Sequence, residues 1–132
     1  MFKPSYLIVV IYMAATLIFS GCVKDNFSKP SAVINFPSIK TNLISNITQT
    51  TAVSGGNTIY PGEGVIKAKG VCWDTKYNPT QYSSPHTDEG GGTASFTSFL
   101  TGLSPNTVYY YRAYAESDKG TGFGDQLTFR TN

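Results

Sequence analysis

Histidine and cysteine are almost missing from this chain, which has one histidine and two cysteines among its 132 residues. Hydrolytic triads need a base, nearly always histidine, within reach of a nucleophile, and structural zinc sites need four Cys or His ligands. The single histidine, His86, lies in a loop rich in Pro, Ser and Gly, far in sequence from Cys72. We therefore predict no catalytic residue, no metal site and no cofactor, and we do not expect an enzyme.

Charge is also scarce, because only 14% of the residues are charged and the net charge at pH 7 is +2. Nucleic-acid binding depends on clustered Lys and Arg, so we expect no nucleic-acid partner. Asp88 and Glu89, followed by three glycines, could offer calcium ligands together with backbone carbonyls. Two adjacent acids before glycines are more often a solvated turn, and a calcium site in the loop at 77–92 is left open.

The longest apolar run is too short for a membrane-spanning helix. Lys3 is the only charge before a run of 14 uncharged residues from Tyr6 to Phe19, whereas a helix needs about 20 residues to cross the hydrocarbon. A basic start, a short apolar core and the small residues Ser20-Gly21 are typical of a secretory signal peptide. We predict that residues 1–21 form a helical signal peptide.

The residue after this segment is Cys22, and the segment resembles a bacterial lipoprotein signal, in which cleavage before the cysteine leaves it to be acylated. Phe19 stands where the lipobox usually has Leu, and an ordinary signal peptide or an uncleaved anchor is the alternative. The resemblance implies lipidation of Cys22, attachment to a membrane through that lipid, and a place in the bacterial cell envelope at the outer membrane. Cys22-Val-Lys-Asp-Asn26 loosely resembles the surface-export signal of Bacteroidetes lipoproteins, but with Asp25 as its single acid it leaves surface exposure open.

Cleavage before Cys22 would leave 111 residues, enough for one domain of ordinary size. Residues 22–35 are polar with a single proline, and we predict a flexible tether there and a domain over 36–132. With Cys22 acylated, Cys72 has no partner for a disulfide. Cys72 lies in an apolar run and is expected to be a small buried residue, because no basic group is evidently placed to make it a reactive thiol.

A helical period is also missing after residue 35, where short alternating apolar runs are broken by Gly, Pro, Asn and Asp. Short strands with turn signals about every ten residues favour a sandwich or a barrel. The predicted strands are Ser38–Ser45, Thr50–Thr58, Val65–Asp74, Thr93–Leu100, Thr107–Glu116 and Thr121–Arg130. The segment Tyr77–Gly92 has no clear strand.

The strand predicted at Val65–Asp74 has apolar residues on both faces, with Cys72 on one and Val71 and Trp73 on the other. Two explanations are possible: a central strand covered on both faces, or a bulge at Gly70. The sequence does not distinguish them.

The stretch Leu103-Ser-Pro-Asn-Thr-Val-Tyr109 has the pattern Leu-x-Pro-x-Thr-x-Tyr. It resembles the entry to the sixth strand of fibronectin type III domains, and the resemblance extends from Ser38 to Thr131. It implies an all-β fold, an antiparallel seven-stranded sandwich of the fibronectin type III or immunoglobulin-like kind. It also implies a tyrosine corner at Tyr109, beside Leu103, in which the tyrosine hydroxyl bonds back to upstream backbone.

Further stretches, Lys69–Thr75, Gly92–Leu103 and Arg112–Gly120, resemble one subfamily, the fibronectin-like repeat of secreted and surface proteins of Bacteroidetes. One departure from ordinary fibronectin type III domains is that their strand-B tryptophan is missing. The only tryptophan, Trp73, lies on the third strand.

The outward side of the predicted strand Thr107–Glu116 is a possible binding face for a protein or a glycan. It presents Tyr110, Arg112 and Tyr114, and Phe99 is expected to point outward from the preceding strand. Tyr and Arg are frequent anchors of interfaces. Alternatively, the tyrosines pack across strands with Arg112 over a ring. The loops Tyr60–Gly64, Tyr77–Gly92 and Ser117–Gly120 are a further candidate, by analogy of fold alone.

These observations lead us to expect a non-enzymatic envelope lipoprotein that acts in adhesion or in ligand or partner binding. The alternative is a structural spacer or an accessory subunit of an envelope complex, with no ligand of its own. Neither the ligand nor the oligomeric state follows from the sequence.

Overall fold

A computed structural model describes residues 35–132 and contains seven β-strands. In chain order they are β1 (Ser38–Thr41), β2 (Ala52–Tyr60), β3 (Ile66–Asp74), β4 (Phe96–Leu100), β5 (Val108–Ser117), β6 (Gly120–Phe123) and β7 (Leu127–Arg130). None of the described residues belongs to a helix capable of crossing a membrane. The predicted signal peptide, Cys22 and the tether up to residue 34 lie outside the described residues.

The strands form two antiparallel sheets. One has the order β1-β2-β4, and in the other β5 pairs with β3 on one side and with both β6 and β7 on the other. The inward side chains of the two sheets meet in two clusters against which Phe96 packs. The larger contains Ala52, Val71, Trp73, Leu100, Leu103, Tyr109, Tyr111 and Phe129, and the smaller contains Ile39, Ile66, Ala113 and Ala115. The prediction of an all-β, antiparallel, seven-stranded sandwich is confirmed.

Alternation along β5 places its core residues. Tyr109, Tyr111, Ala113 and Ala115 follow one another at every second position, and all four are buried. Successive side chains of a strand point to opposite faces, so one sequence pattern supplies a continuous inner face. A buried tyrosine ring removes roughly 150–250 Å² from water, which at about 25 cal/mol per Å² is worth several kcal/mol.

The turn before β5 is joined to the strand by a tyrosine side chain. The Tyr109 hydroxyl accepts a hydrogen bond from the backbone N–H of Ser104, five residues upstream, at 2.9 Å. Its ring stacks on Phe129 with the ring centres 5.7 Å apart, and Leu103 is buried beside it. This is the geometry of a tyrosine corner.

The last predicted strand is divided into two, because the chain leaves the sheet between Phe123 and Leu127. At the break, the Ala113 carbonyl accepts from Gly124 N–H, while Ala113 N–H donates to the Thr41 hydroxyl 3.0 Å away. The crowding comes from the N-terminal segment, since a Cβ on Gly122 would lie 1.8 Å from the Pro37 carbonyl oxygen. Glycine lets the two backbones approach.

The segment Tyr77–Gly92, which we call the covering segment, returns along the free edge of β3 without forming a regular strand. Trp73 N–H donates to Pro85 O, Thr87 N–H to Val71 O, and Glu89 N–H to Lys69 O. A Cβ on Gly70 would lie 2.0 Å from the Thr87 carbonyl oxygen, so glycine is needed for this approach. Val71, Cys72 and Trp73 are all buried, so β3 is covered on both faces. Its register shift falls between Ile66 and Ala68 rather than at Gly70.

Candidate functional site

The outward face of β5 lies largely under the covering segment. Tyr114 is only 2% exposed, and its hydroxyl donates to the Thr87 carbonyl at 2.6 Å. Burial raises the pKa of the Tyr114 hydroxyl, and the negative charge of nearby acids, Asp88 above all, raises this pKa further. The expectation that Tyr114 lies in an open binding face is therefore corrected, because the chain itself occupies that place.

Arg112 is also used internally. Its Nε donates to the Pro79 carbonyl at 2.7 Å, and its guanidinium lies 3.9 Å from the centre of the Phe123 ring. A cation over an aromatic face is attracted by the ring quadrupole. Of the two alternatives for Arg112, the structure therefore has the one in which the side chain packs over an aromatic ring.

Phe99 lies on the other side of the molecule from Tyr110, Arg112 and Tyr114. It is 67% exposed on β4, which belongs to the first sheet, whereas the other three belong to β5 in the second. Outward residues of two packed sheets point in opposite directions. The four predicted residues therefore do not form one surface.

What remains open on the second sheet is an aromatic surface made of Tyr77 and Tyr110. The rings of Tyr77 and Tyr110 meet edge to face with centres 5.4 Å apart. Tyr77 is 70% exposed. Tyr82 is also exposed, but its hydroxyl reaches Thr121, opposite Glu116, six residues along β5 from Tyr110. The sequence analysis placed Tyr110 on the outward face of its strand and included Tyr77 only as part of the candidate loop Tyr77–Gly92.

The covering segment supports this aromatic surface through contacts with several strands. The Gln81 side chain donates to the Thr121 hydroxyl at 3.0 Å, and the Tyr82 hydroxyl is 3.0 Å from the same oxygen. At the other end, Asn78 N–H donates to the Gln126 side chain at 2.6 Å. The exposed rings therefore stand on a backbone held at both ends, which lowers the entropy lost when a ligand binds.

Cys72 and His86, far apart in sequence, face each other across a β-bridge. Burial raises the pKa of the Cys72 thiol to about 11, although the neighbouring Arg112 acts in the opposite direction. Sequence analysis found no such basic neighbour. The thiolate is the nucleophilic form, so a thiol protonated at neutral pH is unsuited to attack. The thiol instead points at the carbonyls of Pro79 and Arg112.

The acids of the covering segment are engaged separately. The Asp88 carboxylate accepts from Gly90 N–H at 2.9 Å, and the Glu89 carboxylate accepts from the Ser98 hydroxyl at 3.0 Å. Within residues 35–132, no three His, Cys, Asp or Glu side chains converge on a common point that could hold a metal ion.

A groove of about 570 Å³ lies where the chain breaks between β6 and β7. It is lined by Lys40, Thr41, Asn42, Leu43, Asn57, Asp125 and Leu127. Its volume is that of small-molecule sites, and its walls mix amides, one charge of each sign and two leucines. Sequence analysis missed it, because the break that opens it results from tertiary crowding.

Comparison with known proteins identifies the fold. The sensor domain of the anti-sigma factor RsgI4 of Pseudobacteroides cellulosolvens is 18% identical, with a TM-score of 0.53, over 74% of this chain and 96% of that one. The FN3 domain of human collagen XX is 17% identical, with a TM-score of 0.53, over 73% and 92%. The FN1–FN3 domains of chicken CNTN1 are 14% identical, with a TM-score of 0.51, over 73% and 30%.

No protein-family model and no curated protein matches the sequence. At these low identities the structural similarities establish a fibronectin type III-like sandwich and nothing finer. The expected fold is confirmed, whereas the Bacteroidetes subfamily and the lipoprotein signal stay predictions.

Proposed function

We propose that this protein is a non-enzymatic lipoprotein of the bacterial envelope whose sandwich serves in adhesion or in binding a ligand or partner. Cys22 would carry the lipid, residues 22–35 the tether, and the outer membrane is the expected location. The fibronectin type III-like fold and the likeness to a sensor domain support a binding or accessory role. From the motifs quoted above, we further infer that the domain belongs to the fibronectin-like repeats of Bacteroidetes surface proteins.

The observation that supports binding best is the aromatic surface of Tyr77 and Tyr110. Tyrosine combines a large contact area with a polar tip and has few torsions to immobilise. The Tyr77 ring is 70% exposed, yet the backbone next to it is held by a hydrogen bond from Asn78 N–H to the Gln126 side chain. Such a surface suits the face of a sugar ring or a short stretch of protein.

The test is a screen of the purified mature protein against a glycan array and against envelope extracts. We expect a specific partner whose binding weakens in Tyr77→Ala and Tyr110→Ala. Phe99→Ala is the matched control, because Phe99 is an equally exposed aromatic on the opposite outer face. Equal binding by all three variants would exclude this surface as the binding site.

The structural alternative, a spacer or accessory subunit, has an observation of its own. The covering segment packs on the outward face of β5 at Arg112 and Tyr114, so that part of the face is already occupied without a partner. No specific binder in either screen, together with co-purification in a larger envelope complex, would favour this alternative.

A further inference from the structure

One end of the sandwich, which we call the tether end, is where the described chain begins. β1 starts there at Ser38, β2 finishes there at Tyr60 opposite Ser38, and β5 turns there into β6 at Ser117–Gly120. The opposite end contains the turn that includes Gly102. A chain arriving from Cys22 therefore enters the domain at the tether end.

The tether end exposes a group of apolar side chains. Phe36 and Tyr60 are each 56% exposed, and Val65 is 72% exposed. They belong to one surface, since the Phe36 ring lies against Gly120, where a Cβ would be 2.6 Å from it. Val65 N–H donates to the Asp118 carboxylate of the same turn at 3.0 Å.

Charge at this end is balanced. The exposed lysines Lys67 and Lys119 stand beside the exposed acids Glu63 and Asp118. Such a surface has no net attraction for an anionic partner, so its apolar groups dominate any association. Aromatic side chains of this kind are favoured in the headgroup region of a bilayer, where a ring meets both apolar and wet surroundings.

The distance from the lipid is short. Residues from Cys22 to Phe36 span 14 steps of the chain, and the flexible tether predicted there would have a mean reach of about 20 Å. A short link of this kind corresponds to an effective concentration in the millimolar range. Even weak contact between the tether end and the bilayer would then be well populated.

We propose that the tether end rests in the headgroup layer of the bilayer, with Phe36, Tyr60 and Val65 in contact with lipid. This rests on the proposed lipid anchor at Cys22. The far end of the sandwich then points away from the membrane, and the aromatic surface lies on the side of an upright domain. A lipid surface is the occupant favoured over a second copy, because the tether brings this end to the bilayer first.

The test uses full-length protein processed in a lipidating bacterium and placed in nanodiscs of phosphatidylethanolamine and phosphatidylglycerol. A nitroxide on the lipid headgroup broadens the NMR signals of nearby amides. We expect strong broadening at Gly64, Val65 and Gly120 and little at Asn46 and Gly102, unchanged by added salt.

Combined Phe36→Ser, Tyr60→Ser and Val65→Ser substitutions should abolish the difference between the two ends. Leu43→Ser is the control, since Leu43 is more exposed than any of the three but lies beyond the other end of β1. Uniform or absent broadening in protein whose Cys22 is acylated overturns the docking and leaves the anchor intact. Absence of lipid on Cys22 by mass spectrometry overturns the anchor and the docking together.

Discussion

At the scale of single residues, side-chain hydroxyl groups link neighbouring parts of the chain. Tyr109 bonds the turn before β5, Thr41 bonds the backbone of β5 where β6 ends, and Tyr114 bonds the covering segment. Each accepts from or donates to a backbone group that regular strand pairing leaves without a partner. Buried backbone groups left without a partner are costly, so these bonds stabilise the places where the sheets are irregular.

The first prediction concerns the Tyr109 hydroxyl. Tyr109→Phe leaves Ser104 N–H without its protein acceptor, at a cost of about 1–3 kcal/mol for a buried group. Ser104 is exposed, so we expect the lower end of that range. Urea unfolding measures it, and Tyr110→Phe, which changes the next residue on the opposite face, should have little effect. Identical midpoints for Tyr109→Phe and the parent protein would show that the corner bond does not stabilise the fold.

The second prediction concerns alkaline pH. Burial raises the pKa of the Cys72 thiol from 9.0 to about 11, so the folded chain holds this proton more tightly than the unfolded chain. Tyr114 shifts in the same direction. Stability should stay level up to about pH 8 and fall as the pH rises past the unfolded thiol pKa towards the folded one. Urea midpoints across this range test it, and the fall should be shallower in Cys72→Ala.

At the scale of elements, the covering segment decides what the outward face of β5 can do. It has no regular strand pairing, yet it bonds to β3 through four backbone hydrogen bonds and to β5 through Arg112 and Tyr114. It occupies the edge of β3 that is not paired with β5. Exposed edges are prone to pair with other chains, so the covering segment also protects the sheet.

The third prediction concerns the approach of this segment to β3. In Gly70→Ala the new Cβ would collide with the Thr87 carbonyl, and that carbonyl belongs to backbone that cannot rotate away. We expect a loss of about 1–3 kcal/mol in unfolding free energy and faster labelling of Cys72 by a thiol reagent. Lys67→Ala is the control, because Lys67 is exposed and lies at the register shift of β3. Unchanged labelling would mean that the segment accommodates the methyl group without moving.

At the scale of the whole molecule, the two sheets form a closed body, and the functional proposals concern its surface and its attachment. Lipidation would place this body at a membrane through the 13 residues that lie between Cys22 and Phe36. A multiply acylated cysteine anchors firmly, because each buried methylene contributes about 0.8 kcal/mol. Under this proposal, one residue outside the sandwich would decide the location of the protein.

The fourth prediction tests that attachment. Cys22→Ser should move the protein from the membrane fraction to the soluble fraction, since no other acylation site is proposed. Fractionation and mass spectrometry of the N-terminal peptide measure it, and Cys72→Ser, at the other cysteine, should leave the protein on the membrane. Membrane retention of Cys22→Ser with an uncleaved signal peptide would refute the lipoprotein assignment. Protease treatment of intact cells then tells which side of the outer membrane the domain faces.

Much of the fold could be predicted because strand alternation and turn chemistry are local. The core residues of β5 follow from a period of two, and Pro105 and Asn106 mark the turn that leads into it. The site could be predicted only in part. Tyr110 and Tyr114 lie on the same face of β5, but Tyr110 is at the surface and Tyr114 is buried. The sequence of β5 does not determine this difference, because another part of the chain covers that face.

The sequence by itself determined the class of fold, the order and approximate bounds of six strands, and the inner face of β5. Tertiary structure alone decided that the last predicted strand divides at Gly124 and that residues 77–92 cover the second sheet. It also decided that Phe99 lies on the face opposite Tyr110. The physical reason is the distance along the chain over which each feature is determined. The alternation of side chains along a strand is local, whereas the segment that covers a sheet is determined by backbones that meet only once both sheets have packed.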